Sequence, residues 1–261
     1  MKGGWFWMGM GQTDPDAKDD DYVSVPVHHV FVSPYYLGAY EVTNRRYIAC
    51  IDAGICTVDP DPVTDKPWDK PAHSTPDMLD RPFVAGSAQD GEKFCKWVGG
   101  WLPSEAQWER AAAGLGDHQR PYPDGDDPPT CVQEVMRDCF DGGVLHRVQQ
   151  VGTKSANPEG IYDMAGNASE YTADLFWKDA YANCPGECKD PCYGCPASPW
   201  GPDSGSWPYS HVSRGADSSA SASESPEFFR SQFRDFGFQD GRVSESLDQG
   251  FRCAYPAKPT K

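Results

Sequence analysis

Two short runs near the start of the chain are dense in apolar and aromatic residues. Gly3 to Met10 (GGWFWMGM) and Val25 to Val32 (VPVHHVFV) read as strands. In the second run His28 and His29 are adjacent, so a strand points them to opposite faces and they cannot readily share a metal. Helical signals follow. Thr43 is a good N-cap for a helix over Asn44 to Ala53, stopped by Gly54. Ser87 caps a second helix running through Val98, with Phe94, Cys95 and Trp97 near its inner face, and Gly99-Gly100 ends it. Ser104 and Gln107 form a capping-box pair that opens a third helix, which Ala111 to Ala113 continue and Gly114 stops.

Loops take up much of the remainder. Asp14 to Asp21 carries five aspartates and reads as a solvated loop, without the spacing of a calcium-binding EF loop. Residues 57–80 are rich in Pro and Asp and also read as loop. Residues 176–210 form a long connection with Cys, Pro, Gly and Trp throughout, and loops of that length are usually functional or stapled.

Composition supports this picture of short elements and long connections, since 26 glycines and 24 prolines interrupt the 261 residues. That length fits one large domain or two small ones, and neither an internal repeat nor a second domain is visible. A net charge of −16 leaves no basic footprint for nucleic acid. No segment approaches the ~20 apolar residues of a membrane-spanning helix.

Ten cysteines, even in number and clustered in spacing, suggest disulfides and hence an oxidising compartment. No signal peptide is visible, and the expectation is an extracytoplasmic protein whose leader or anchor has been trimmed. A cytosolic protein with reduced thiols is the alternative. Cys50 and Cys56 bracket the end of the first helix, so a local bridge is plausible, and Cys131/Cys139 resembles another such staple. Cys184, Cys188, Cys192 and Cys195 form C-x3-C-x3-C-x2-C, which suits either a zinc ion or two local disulfides. Disulfides are preferred because the other short spacings already look like staples.

The stretch Gly160-Ile161-Tyr162-Asp163-Met164-Ala165-Gly166-Asn167-Ala168-Ser169-Glu170-Tyr171 concentrates the candidate chemistry. Asp163, Glu170 and the carbonyls between them could supply hard oxygen ligands to one calcium ion. A tight turn whose carboxylates accept backbone amides is the plainer reading. No Ser-His-Asp motif, phosphate loop or H-E-x-x-H is present.

This stretch resembles the Gly-Leu-Tyr-Asp-Met-x-Gly-Asn-x-x-Glu-Trp signature of the formylglycine-generating enzyme family, the sulfatase-modifying factors. Other segments follow in family order. Gly3 to Gly9 looks like the opening Gly-Gly-x-Phe-x-Met-Gly, and Tyr40-Glu41-Val42-Thr43-Asn44 like its Glu-Val-Thr-Asn. Cys95 to Glu109 resembles Cys-x-Trp-x-Gly-x-Arg-Leu-Pro-Thr-Glu-Ala-Glu-Trp-Glu. Val151-Gly152, Asn157-Pro158, Arg214-Gly215 and Gly250-Phe251-Arg252-Cys253-Ala254 complete the series.

The resemblance implies one α+β domain of the C-type-lectin-like kind over residues 3–255, with 256–261 as a tail. It implies a Cys95–Cys253 disulfide. It implies a structural calcium held by the Asp163 side chain, the Gly166 and Ala168 carbonyls and the Glu170 carboxylate. A second family disulfide is missing at both ends, where Ala112 and Ser231 stand. Arg230 and Arg234 match an arginine pattern that follows the family's active strand, and with Phe229 and Phe233 they could line a pocket.

One departure bears on activity. The family oxidises a substrate cysteine using two nearby cysteines that bind copper(I), a metal suited to soft thiolates. This chain has no cysteine between Cys195 and Cys253. The expectation is therefore a binding or scaffolding module for a protein or peptide ligand, without copper oxidase activity and with no catalytic residue assigned. The alternatives are an oxidoreductase of the same family with a rebuilt metal site, or a ligand-binding protein whose variable surface lies between Ser213 and Gly250.

Overall fold

A computed structural model describes residues 1–10, 24–57, 70–84, 87–117, 119–140, 148–177, 179–184, 187–195, 211–236 and 248–257. The aspartate-rich stretch after Asp14 and much of the 176–210 loop lie outside them.

Strand β1 (Gly4–Met8) pairs antiparallel with β2 (His28–Val32), and β2 pairs parallel with β5 (Glu187–Lys189). Phe6 and Met8 of β1 point inward while Trp5 and Trp7 face outward. The two histidines take opposite faces, as strand geometry requires. His28 is buried, and His29 lies between Trp5 and Trp7 at ring-centroid distances of 4.6 and 4.7 Å.

Strand β3 (Tyr35–Leu37) leads to helix α1 (Asn44–Asp52), capped by the Thr43 hydroxyl accepting from the Arg46 N–H. A short helix α2 (Lys70–His73) occupies part of the stretch read above as loop. Helix α3 (Ala88–Trp97) opens with a reciprocal box between Ser87 and Asp90, and α4 (Glu105–Ala113) with one between Ser104 and Gln107.

The sheet that positions the site is built from distant segments: β7 (Arg234–Phe236), β6 (His211–Arg214), β4 (Ser169–Leu175) and β8 (Gln249–Gly250), in that order. The final strand β9 (Ala254–Pro256) pairs with β3, and Ala254 also bridges to Trp101.

The core is largely aromatic. Tyr47 stacks on Phe83 at 3.7 Å, and Phe94 and Phe251 meet them edge-on or stacked. Each such pair contributes about 0.5–1.5 kcal/mol beyond its area burial. Cys95 and Cys253 join within this cluster, tying α3 to the entry of β9. The remaining pairs are Cys50–Cys56, Cys131–Cys139, Cys184–Cys188 and Cys192–Cys195, so no cysteine is free. The four-cysteine segment thus takes the disulfide alternative, which leaves it no thiolate to offer zinc.

Candidate functional site

The turn before β4 is held by one carboxamide. Asn167 is fully buried with φ 63°, a left-handed conformation that Asn tolerates better than most residues. Its Oδ1 accepts the Gln149 N–H at 2.7 Å and its Nδ2 donates to Glu41 at 3.1 Å. Its own N–H donates to the Val135 carbonyl, and its carbonyl accepts from Ser218. Gly166 must be glycine: at φ 144° an added Cβ would lie 2.6 Å from the Val135 oxygen.

Carboxylates crowd this turn. Asp163 is buried, and its Oδ2 accepts the Gly152 N–H at 2.7 Å. Its Oδ1 has no hydrogen-bond donor among the described residues, and neither has Oε2 of the equally buried Glu134. Burial raises the pKa of Asp163, and burial with the neighbouring Asp163 and Glu170 charges pushes Glu41 well above the usual carboxylate range. Glu134 is driven the same way by burial and then by Asp124, which burial itself pushes up to about 6.

Arg252 supplies the positive charge nearest these acids among the described residues, with Arg120 acting on Asp124. Arg252 grips Glu170 with Nη2 on Oε1 at 2.6 Å and Nε on Oε2 at 2.7 Å, and donates to the carbonyls of Gly38, Tyr162 and Asp163. Trp108 also donates to Glu170, at 3.0 Å. Among the expected calcium ligands, then, the Asp163 carboxyl meets the Glu41 carboxyl and its Oδ1 accepts from no N–H among the described residues, whereas both oxygens of Glu170 are engaged by Arg252 and Trp108. Glu41 and Glu134 join them here. Neither was assigned a role from sequence, although Glu41 fell within the segment that resembles the family's Glu-Val-Thr-Asn.

A second buried centre lies between α4 and the sheet. Arg214 donates to Glu105 at 2.9 Å and to Glu109 at 2.5 Å, and Arg234 donates to Glu105 at 2.5 Å. All four side chains are inaccessible to solvent.

That centre corrects the pocket expected around Arg230, Arg234, Phe229 and Phe233. Arg234 turns inward to Glu105 and stacks over Tyr181 at 4.5 Å, and Phe229 is in the core. Arg230 sits over the Tyr122 ring. Only Phe233 of the four lines the cavity of about 360 Å³ that opens beside β6. Its other walls include Arg137, Asp217, Ser221, Glu224 and Phe228. Arg137 pairs with Glu224, and Ser221 donates to Asp138 at 2.6 Å. The sequence pointed here through Phe233 and through the variable surface considered between Ser213 and Gly250.

The sulfatase-modifying factor enzyme 1-like domain family matches residues 1–257, and the chain belongs to that family. A formylglycine-generating enzyme of Thermomonospora curvata is 29% identical over 219 residues, covering 66% of this chain and 70% of that protein. A Chlamydia caviae protein named serine/threonine-protein kinase pkn1 is 27% identical over 195 residues. That match covers 69% of this chain but only 28% of the kinase, so the chain spans under a third of that relative. The structure of PvdO from Pseudomonas aeruginosa aligns at a TM-score of 0.69 and 22% identity, covering 97% of this chain and 92% of PvdO. The likeness establishes the formylglycine-generating-enzyme fold, an α+β fold of the C-type-lectin-like kind.

Proposed function

We propose that this domain binds a protein or peptide ligand in the cavity beside β6 and does not perform copper-dependent oxidation of cysteine. The observation that carries the reading is the chemistry of that wall. The segment after Arg214-Gly215, where the family's copper-binding thiols would stand, presents Ser219, Ser221 and Ser225, and no cysteine lines the cavity. A serine hydroxyl neither ionises at neutral pH nor suits copper(I). Hydroxyls, Asp217, Glu224 and Arg137 offer hydrogen bonds to a peptide, and Phe228 and Phe233 offer apolar contact.

Five disulfides support an oxidising, extracytoplasmic setting for this binding. The turn before β4 fits a structural calcium ion. Asp163 and Glu41 would hold it, with the Gly166 and Ala168 carbonyls the family resemblance implies and Glu170 shared with Arg252. A bound calcium supplies positive charge where carboxylates outnumber cations, and so pins the turn against Val135 and Ser218.

The test has two arms. The protein is incubated with copper, oxygen and a sulfatase-type cysteine peptide, and the peptide is weighed by mass spectrometry. No formylglycine above a no-protein control is expected, and turnover would overturn the reading. Separately, peptides selected from a random display library should lose about tenfold or more in affinity on Ser221→Trp, which fills the cavity. Binders indifferent to that substitution would place recognition elsewhere.

A further inference from the structure

Cys192–Cys195 differs from the other disulfides in its surroundings. The cysteines of the 50–56, 95–253 and 184–188 pairs are all buried. Cys192 and Cys195 are half-buried, and both line a cavity of about 750 Å³. Trp101, Leu102, Tyr35 and Lys96 form other parts of its wall. It shares no lining residue with the cavity beside β6. Cys131–Cys139 is also half-buried but lines neither cavity.

Beneath the pair lies Asp174, at 0% exposure. Its Oδ2 is 3.6 Å from Cys192 Sγ and accepts the N–H of Glu105, the first residue of α4, at 2.6 Å. Its Oδ1 accepts the N–H of Tyr193, inside the Cys-Tyr-Gly-Cys turn, at 2.7 Å. A carboxylate oxygen of Asp174 and the sulfurs of Cys192 and Cys195 all lie within 4.8 Å of one another. Burial, aided by the Glu105 charge, pushes Asp174 up to about 7. A carboxyl near that value both gives and takes a proton at neutral pH.

As a staple this disulfide has little effect. It closes a loop of three residues' separation, which removes far less chain entropy than the 158-residue closure of Cys95–Cys253. Accessible disulfides are the ones that exchange, at rates set by access and by the leaving thiol.

We propose that Cys192–Cys195 is a redox-active pair that exchanges with a dithiol or disulfide of a peptide substrate seated in this cavity, with Asp174 moving the proton at Cys192. In the oxidising direction a substrate thiolate attacks Cys195 Sγ and forms a mixed disulfide. The Cys192–Cys195 bond breaks, its electron pair passes to Cys192 Sγ, and Asp174 protonates that sulfur. The substrate's second thiolate then attacks its own sulfur in the mixed disulfide, and Cys195 leaves and takes a proton from water. One substrate dithiol becomes a disulfide and one protein disulfide becomes a dithiol; the reverse reaction reduces a substrate disulfide.

The test starts with the unaltered full chain equilibrated in glutathione buffers of graded poise, alkylated and mapped by mass spectrometry. Cys192 and Cys195 should be labelled together, about tenfold or more faster than Cys95 and Cys253, while Tm holds. Labelling no faster than the buried pairs would overturn the proposal. In the second measurement the oxidised protein acts on a synthetic peptide carrying two thiols. Cys184→Ser/Cys188→Ser should keep the activity, and Cys192→Ser, given the peptide in its disulfide form, should trap it on Cys195 because the resolving sulfur is gone. Asp174→Asn should slow exchange about tenfold or more without lowering Tm equally. Exchange at the unaltered rate in Asp174→Asn, or no trapped adduct, would sink it.

Discussion

The two buried charge centres of this domain are built to opposite rules. Between α4 and the sheet, Arg214 and Arg234 meet Glu105 and Glu109, two cations against two anions, all fully buried. At the turn before β4, among the described residues, Arg252 faces Glu41, Asp163, Glu134 and Glu170, with Asp124 and Arg120 beside them. The matched centre balances its charges, although Glu105 Oε2 and Arg214 Nε have no hydrogen-bond partner among the described residues, and acts as a strut. Burial raises carboxyl pKa values in both centres, Glu109 included, and at the unmatched one neighbouring carboxylates add to it, an excess negative charge that protons or a cation can relieve. Balance therefore separates a structural network from a candidate ligand site more clearly than burial does.

The contrast is most exposed to mutation at the strut. Arg214→Leu leaves Glu105 and Glu109 buried without their partner and should cost about 3–5 kcal/mol, read from urea unfolding midpoints. A loss below about 1 kcal/mol would mean the centre is not a strut.

The proposed calcium should come next. At a free concentration a hundredfold above the dissociation constant, binding contributes about 2.7 kcal/mol. Chelation should lower Tm, and calcium should restore it more than magnesium does. Glu41→Gln should blunt that response while Glu109→Gln leaves it intact. Unchanged melting with no retained metal would show that the turn is held by hydrogen bonds alone.

Acidity tests the same excess. A carboxyl whose folded pKa is raised binds protons more readily when folded, so its stabilisation is complete below the unfolded value and fades as pH rises. With Asp124 at about 6, and Glu134, Asp163 and Glu41 also raised, the metal-free protein should lose stability as pH rises from about 4 to about 7. Arg252 and Arg120 oppose the trend by favouring the charged forms, and Asp174 adds to it. Saturating calcium should flatten the slope; the same slope with and without it would put the cation elsewhere. The smallest effect is expected of Glu134→Gln, which removes one excess charge and should change metal-free stability by about 1 kcal/mol or less, in the stabilising direction at pH 7.

The helices were legible in the sequence because their signals are local: Thr43, Ser87 and Ser104 each satisfy an N–H group three residues on. Family motifs supplied the fold. Arg234 was read as pocket-lining because its partner Glu105 lies 129 residues away, and no local pattern announces such a pair. Glu105 and Glu109 were read from sequence only as part of a family-like segment; both are buried, where the sheet supplies arginines to meet them. Asp174 gave no signal either. Its neighbours across the fold, the Cys192–Cys195 turn and the first amide of α4, come together only in three dimensions.

The Cys95–Cys253 bridge spans 158 positions and so encloses β4, β6, β7 and β8 in one covalent ring with the core. A ring survives a single break. A protease that cuts the backbone once anywhere between those cysteines leaves both pieces attached, and the nicked protein travels at full mass until a reductant opens the bridge. A cut between β4 and β8 is crossed by the pairing of those strands and by the Glu170–Arg252 contact, so the sheet then remains assembled from two polypeptides and damage to a connecting loop need not release the site it connects.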